Sequence, residues 1–267
     1  MRYWHLLSLD APTVAALWCW AFGRAVRLRL NPWLPIALAL GTWLFYVADR
    51  LLDARFAPQS TLQERHRFHQ DHRSWFLRVA VPVAGALAVL VAHMPPSLIA
   101  AYCVLGALSL VYLALVHLPV RASGQSLCYF PKEFAVAMLF AAATALPAWD
   151  AAMRRFAGMP RSHPLFFLCP LFAALCWLNC TAIEDWERRR RGYRIEWLAS
   201  LVVAASCICV VGLVNHPARW LALASAVSAA LFLILDRGPL APSARRIAAD
   251  LVLLTPVLLP IAGRLAR

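Results

Sequence analysis

Nine apolar stretches, each about the length of a transmembrane helix, dominate this sequence. An α-helix rises about 1.5 Å per residue, so about 20 apolar residues cross the hydrocarbon core of a bilayer. That core offers no water to the backbone, which favours helices because they satisfy their polar groups internally. We therefore predict an all-α, polytopic membrane protein with about nine transmembrane helices, which follow the stretches at approximately 11–28, 33–52, 75–93, 97–118, 132–149, 164–184, 197–214, 218–235 and 247–263.

The composition excludes an ordinary soluble domain. Hydrophobic residues make up 62% of the 267 residues and charged residues 15%, and the mean hydropathy is +0.65. A soluble domain carries about a quarter charged residues and uses them to cover its surface. The net charge of +13 would suggest nucleic acid as a partner of a soluble protein. Here the basic residues flank the apolar stretches, which indicates contact with membrane lipid and argues against nucleic-acid binding.

The basic residues are divided unevenly between the two sides that nine helices would create. Sixteen lie on the side of the connections that follow even-numbered stretches, against nine on the other side. Lys and Arg are enriched in cytoplasmic connections. We therefore predict a single transmembrane domain over 1–267, with polar cytoplasmic caps at 53–74 and 184–194. The expected location is the bacterial inner membrane, and the sequence indicates no oligomeric state.

Acidic residues are scarce, and they concentrate in two clusters. Seven of the 13 acids lie in or beside the two polar connections, at Asp49, Asp53, Glu64, Asp71, Glu184, Asp185 and Glu187. Asp49 and Asp53 are four residues apart, so they share one face of a helix. Two carboxylate clusters at one membrane face favour a shared divalent ion, most naturally Mg²⁺. The alternative is that these acids face water and pair with neighbouring arginines.

The two clusters carry motifs that resemble those of the UbiA superfamily of intramembrane prenyltransferases. The segment Phe45-Tyr-Val-Ala-Asp49-Arg-Leu-Leu-Asp53 resembles the family's first motif, Asn-Asp-x-x-Asp-x-x-x-Asp. The segment Ala182-Ile-Glu-Asp185-Trp-Glu-Arg-Arg189 is similar to its second motif, Asp-x-x-Asp-x-x-x-Asp. The layout of nine helices, with motifs after the second and sixth, extends the resemblance over most of the chain.

The resemblance implies a UbiA-like bundle that transfers an isoprenoid chain from a prenyl diphosphate to a lipophilic, aromatic-type acceptor. It implies Mg²⁺ as the cofactor and Asp49, Asp53 and Asp185 as the catalytic residues. The implied metal ligands are Asp49, Asp53, Glu184, Asp185 and Glu187. We expect the diphosphate to contact Arg50, Lys132, Asn179, Arg188 and Arg189, because guanidinium and ammonium groups bind phosphate oxygens.

The sequence departs from the family motifs at half of their aspartates. Phe45 and Tyr46 replace the leading Asn-Asp pair, Ala182 replaces the first Asp of the second motif, and Arg189 replaces the last. This pattern favours one Mg²⁺ with arginines at the site over the family's two ions. The alternative function is a catalytically lapsed isoprenoid-lipid-binding or assembly protein on the same scaffold. CDP-alcohol phosphotransferases, another membrane family with paired aspartates, need a Gly that the segment after Asp53 lacks.

The polar connection at 53–74 contains three histidines at helical steps, His66, His69 and His72. This spacing predicts a short helix lying at the membrane interface. We expect its histidines and arginines to face lipid headgroups or the diphosphate, and the helix to act as a lid.

Overall fold

The structure is a computed structural model that describes residues 2–56, 64–117, 132–155, 164–187, 193–213 and 216–258. The described part of the chain contains no β-strand. It forms eleven α-helices, followed by a 3-10 turn at Thr255–Leu258. The helices are α1 (Arg2–Leu6), α2 (Asp10–Ala25), α3 (Trp33–Phe56), α4 (Glu64–Asp71), α5 (Arg73–Ala92), α6 (Pro96–His117), α7 (Lys132–Arg155), α8 (Leu165–Glu187), α9 (Tyr193–Gly212), α10 (His216–Arg237) and α11 (Pro242–Val252).

Seven of the described helices, α3 and α5 to α10, are long and apolar enough to cross a membrane. The chain is therefore an all-helical membrane protein, as its sequence predicts. The first and ninth predicted spans correspond to shorter helices in the described residues. Helix α2 has 16 residues and ends before Arg27, whose φ of 55° is left-handed, and α11 has 11 residues. Both are shorter than the roughly 20 residues that a span requires.

The largest buried cluster lies among α2, α7, α8, α9 and α10. The ring of Trp18 on α2 stacks on Phe172 of α8 with centroids 4.0 Å apart, and its Nε1 donates to the backbone oxygen of Leu253 at 2.8 Å. Helix α2 is thus held inside the bundle although it is short. Small residues on one face of α7 allow close helix packing, as is common in membrane proteins; they are Ala137, Ala141, Ala145, Ala148 and Ala152.

The first polar connection is largely helical in its described residues. Helix α3 continues to Phe56, and α4 follows at Glu64–Asp71. His69 on α4 is fully buried, with its Nε2 3.2 Å from Ser8 Oγ and its ring stacked on Phe76 at 4.1 Å. The expectation that His69 faces headgroups or diphosphate is therefore wrong. The residue instead attaches α4 to the N-terminal segment and to α5, because an aromatic ring packs well against Phe76.

The second polar connection is shorter than predicted. Helix α8 continues through the acid cluster to Glu187, and α9 begins at Tyr193. The carboxylates at 184, 185 and 187 are thus carried by the last turn of a long helix. Helical spacing then sends them in different directions, which decides their separate environments.

Candidate functional site

A polar cavity of about 360 Å³ lies where α3 and α8 end and where α7 begins. Helices α1, α2 and α11 complete its wall. Its lining is unusually rich in charge for a chain with so few acids, with six carboxyl groups, three Lys or Arg side chains and one His. The polar lining residues are His5, Asp10, Tyr46, Asp49, Arg50, Lys132, Glu133, Asn179, Glu184, Glu187, Arg246 and Asp250.

Six of the ten predicted site residues meet in this cavity. They come from three helices that are far apart in sequence, and they are Asp49, Arg50, Lys132, Asn179, Glu184 and Glu187. The reason is topological. The carboxyl-terminal parts of α3 and α8 and the first turn of α7 all lie at one end of the bundle.

The other four predicted residues are placed differently. Asp185 does not line the cavity; it is 0% exposed, and its Oδ1 lies 3.4 Å from Nη1 of Arg194. Asp53 belongs to the last turns of α3. Arg188 and Arg189 lie outside the described residues.

The carboxylates of the second motif are engaged by arginines. Nη1 of Arg194 lies 3.5 Å from Oε2 of Glu184, and Arg246 of α11 forms an ion pair with Glu187. The described members of the predicted metal set do not form a group of three whose ligand atoms converge within 4.8 Å. A divalent ion bound by Glu184 or Glu187 would therefore have to compete with an arginine for the carboxylate.

A second acidic group in the cavity was not predicted. Nδ1 of His5 lies 2.7 Å from Oδ2 of Asp10 and 3.7 Å from Oδ2 of Asp250. Within the described residues this is the only group of three His, Cys, Asp or Glu side chains with converging ligand atoms. Asp250 lies about 240 positions from His5 and Asp10 in the sequence, so no local sequence motif contains all three. One signal was available, because Asp250 is an isolated acid in an otherwise apolar stretch of the sequence.

The two carboxyl groups of this cluster differ in the direction of their pKa shifts. Both belong to helices outside the seven membrane-spanning ones. Burial and the neighbouring Asp10 carboxylate raise the pKa of Asp250 well above its usual value. Burial alone would also raise the pKa of Asp10, but the hydrogen bond from His5 and the charge of Arg50 lower it. The two pKa values are thus shifted in opposite directions, because two adjacent buried carboxylates cannot both ionise cheaply.

Arg50 stands out among the charged residues of the cavity. Its side chain is only 5% exposed, although it reaches the cavity wall. Its Cζ lies 5.9 Å from the ring centroid of Tyr46, one helical turn earlier on α3. Among the described residues, no hydrogen-bond acceptor reaches its Nε or its Nη1. A buried guanidinium with open donors is costly and suits an anion supplied by a ligand.

A second, apolar cavity of about 490 Å³ adjoins the polar one. It is enclosed by α3, α5, α6 and α7, and its wall includes Gly41 and Gly106, which leave space for an occupant. The two cavities share Tyr46, Val136 and Phe140 as lining residues. Lys132, Val136 and Phe140 follow one another at four-residue steps on one face of α7. A single molecule with a charged head and an apolar tail therefore fits across the junction.

Comparisons of this chain with family models, with curated proteins and with solved structures gave no match.

Proposed function

We propose that this protein is a UbiA-like membrane prenyltransferase, which transfers an isoprenoid chain from a prenyl diphosphate to a lipophilic acceptor of aromatic type. The observation that carries the proposal is the junction of the two cavities at Tyr46, Val136 and Phe140. The polar cavity suits a diphosphate, and the apolar cavity suits the isoprenoid tail. The allylic carbon of such a substrate would lie near the junction.

The residues at the junction suit the chemistry of this transfer. The allylic C–O bond breaks, and its electron pair leaves with the diphosphate. The electron-poor carbon then forms a bond with the acceptor, which loses a proton. The aromatic rings of Tyr46 and Phe140 stabilise positive charge through their π faces, and the apolar wall excludes water that would trap the cation. Arg50, Lys132 and Asn179 would contact the diphosphate.

Magnesium remains part of this proposal. Asp49, Glu184 and Glu187 supply carboxylate oxygens to the cavity, which is the ligand type that Mg²⁺ prefers. Because Arg194 and Arg246 engage two of these carboxylates, we expect the ion to enter together with the diphosphate. When bound, it would supply the positive charge that stabilises the departing diphosphate. Asp185, which faces Arg194, would act as a positioning residue.

The proposed location draws on the same geometry. Seven helices in the described part of the chain are suited to cross a membrane, and the cavity lies at the end where the sequence concentrates basic connections. We propose the bacterial inner membrane, with the site on the cytoplasmic face and membrane lipid around α5 and α6. Large apolar side chains are exposed on these two helices, as lipid contact requires; they include Val81, Val89, Val104, Leu108, Leu110 and Val111.

A second function has a specific observation in its favour. Arginines engage three of the carboxylates that we predicted as metal ligands, Glu184, Asp185 and Glu187. This arrangement suits a lapsed enzyme that binds an isoprenoid lipid, or supports an assembly, without turnover. The two functions differ in one measurable product, because only the enzyme releases diphosphate.

The test is to incubate the purified protein with labelled prenyl diphosphates of several lengths, with and without Mg²⁺. Release of diphosphate supports the enzyme, and binding without release supports the lapsed binder. Asp49→Ala should abolish release, and Asp185→Ala should weaken it through the loss of positioning. Asp71→Ala is the matched control, because Asp71 is an exposed acid on α4 that does not line the cavity. If the unmodified protein shows no binding and no release, both functions are refuted.

A further inference from the structure

We propose that Arg50 is the primary phosphate anchor of the cavity, and that the phosphorylated headgroup binds without Mg²⁺. This inference rests on the proposed ligand class, a phosphate or diphosphate carried on an apolar chain. It separates two roles that a metal-centred site combines: binding belongs to the guanidinium, and the ion serves only bond cleavage.

The first support is the state of the Arg50 side chain. A guanidinium has five N–H donors in a rigid plane and cannot lose its proton in a protein. Arg50 is 95% buried, and within the described residues two of its nitrogens meet no acceptor. The guanidinium carbon lies over the ring of Tyr46, 5.9 Å from its centroid, and this cation–π contact uses none of the N–H donors. Adjacent donors on the guanidinium edge match two oxygens of one phosphate.

The second support is that other groups already engage the neighbouring carboxylates. His5 and the backbone N–H of Ala11 donate to the two oxygens of Asp10. Arg246 pairs with Glu187, and Arg194 pairs with Glu184. These contacts compensate acidic charge that would otherwise repel an anion.

The third support comes from the opposite wall of the cavity. Lys132 lines the cavity from the first turn of α7, a helix of 24 residues. The positive end of that helix dipole therefore lies at the same wall, where anions are stabilised. Arg50 on α3 and Lys132 on α7 place two cationic groups on different walls of the cavity. These two cations would bind a phosphate without metal, in a cavity that the carboxyl groups of Asp49 and Glu133 also line.

The apolar cavity decides what kind of anion is held. Inorganic phosphate or diphosphate could contact Arg50 but would leave the second cavity without an apolar occupant. Burial of an apolar tail in that cavity stabilises binding further. A prenyl diphosphate and an anionic phospholipid such as phosphatidate share the required chemistry. The experiment therefore includes both.

The experiment measures binding of a labelled, non-hydrolysable prenyl thiodiphosphate to the full-length protein in detergent, in EDTA and in Mg²⁺. We expect the Kd in EDTA to lie within about threefold of the Kd in Mg²⁺. Arg50→Gln should weaken binding by about tenfold or more in both buffers, as expected for lost hydrogen bonds to a charged group. Arg50→Lys should recover part of the affinity, because it keeps the charge and loses the paired donors.

Arg67→Gln is the matched control, because Arg67 is an exposed arginine on α4 that does not line the cavity. Loss of binding in EDTA, or unchanged binding by Arg50→Gln, would overturn the inference. If Arg50→Gln lowers the melting temperature and Arg50→Lys does not, the binding test uses Arg50→Lys. An affinity of Arg50→Lys equal to that of the unmodified protein would contradict the paired-donor contact.

Competition distinguishes the source of the phosphate. Displacement by unlabelled prenyl diphosphate but not by phosphatidate supports the inference and the proposed substrate. Equal displacement by phosphatidate supports the Arg50 anchor and argues against the prenyl substrate. Binding in EDTA without any diphosphate release in Mg²⁺ leaves the anchor in place and refutes the enzyme, so the two proposals fail separately.

Discussion

Arg194, two residues into α9, lies 3.4 Å from the carboxylate of Asp185 on the last turns of α8. The same Nη1 lies 3.5 Å from Glu184. One arginine thus engages two neighbouring acids of the second motif and ties the end of α8 to the start of α9. Asp185 contributes here to helix packing and does not line the polar cavity.

The first prediction concerns this ion pair. Arg194→Met should destabilise the protein by about 2 kcal/mol, because Asp185 is fully buried and loses a charged hydrogen-bond partner. Asp185→Asn should cost less, since the 40% exposed Arg194 side chain can reach water. Thermal unfolding in detergent measures both. Arg237→Met, which breaks an exposed pair with Glu196, is the control and should cost less than about 1 kcal/mol; equal losses in all three variants would contradict the burial argument.

The second prediction concerns the apolar cavity. A Cβ added at Gly106 meets no atom within 4 Å, and this residue lines the cavity. Gly106→Leu should therefore fold normally and weaken binding of long prenyl diphosphates by about tenfold, because the added side chain takes the space of the tail. Short chains should bind as before.

Gly85 provides a matched control for that change. A Cβ there also meets no atom within 4 Å, but Gly85 is exposed on α5 and does not line the cavity. Gly85→Leu should leave the dependence of Kd on chain length unchanged. A parallel shift in both variants would mean that the tail does not occupy this cavity.

The third prediction is a pH dependence with opposite signs at two residues. The pKa of Asp250 is raised in the folded protein by burial and by Asp10. Between the pKa of Asp250 in the unfolded chain and its higher pKa in the folded protein, only the unfolded chain releases this proton. The free energy of unfolding therefore falls as the pH rises through this range. Asp250→Asn should remove that loss and raise the melting temperature at pH 8 relative to the unmodified protein.

Asp10→Asn should act in the other direction. The pKa of Asp10 is lowered in the folded protein. Its contribution to folding stability is therefore fully present above its pKa in the unfolded chain, and it disappears as the pH falls through its pKa in the folded protein. The variant should therefore melt at a lower temperature at pH 7, and the difference should shrink towards acid pH. Melting curves between pH 2 and pH 8 measure both slopes, because the contribution of Asp10 is lost only as the pH falls from its usual pKa towards about 2. The same sign for both variants would contradict pKa shifts in opposite directions.

The fourth prediction concerns His69. His69→Ala should destabilise the protein by about 2 kcal/mol, because a fully buried ring stacked on Phe76 is lost and Ser8 loses its neighbour. Gln70→Ala, at the adjacent exposed position, should change stability by less than about 0.5 kcal/mol. Thermal unfolding in detergent compares them. If the two variants melt alike, α4 is not held through His69.

Local pattern was sufficient to predict much of the helical layout and part of the site. Apolar stretches of span length place the long helices, because a bilayer imposes one length on every crossing. Asp49, Arg50, Lys132 and Asn179 could be grouped in advance, because alternating crossings return these helix ends to one face. The directions of the Glu184, Asp185 and Glu187 side chains could not be predicted, because they depend on which arginine packs against each position of the last turn.

By itself, the sequence determined that the chain is a helical membrane protein, where its long apolar helices lie, and which of their ends carry charge. Only the tertiary structure decided that His5, Asp10 and Asp250 meet, that Arg50 is buried with open donors, and that a polar cavity meets an apolar one at Tyr46. The physical reason is that hydropathy and helix length are local properties of the sequence. The environment of a buried charge depends instead on residues that packing brings together from distant parts of the chain.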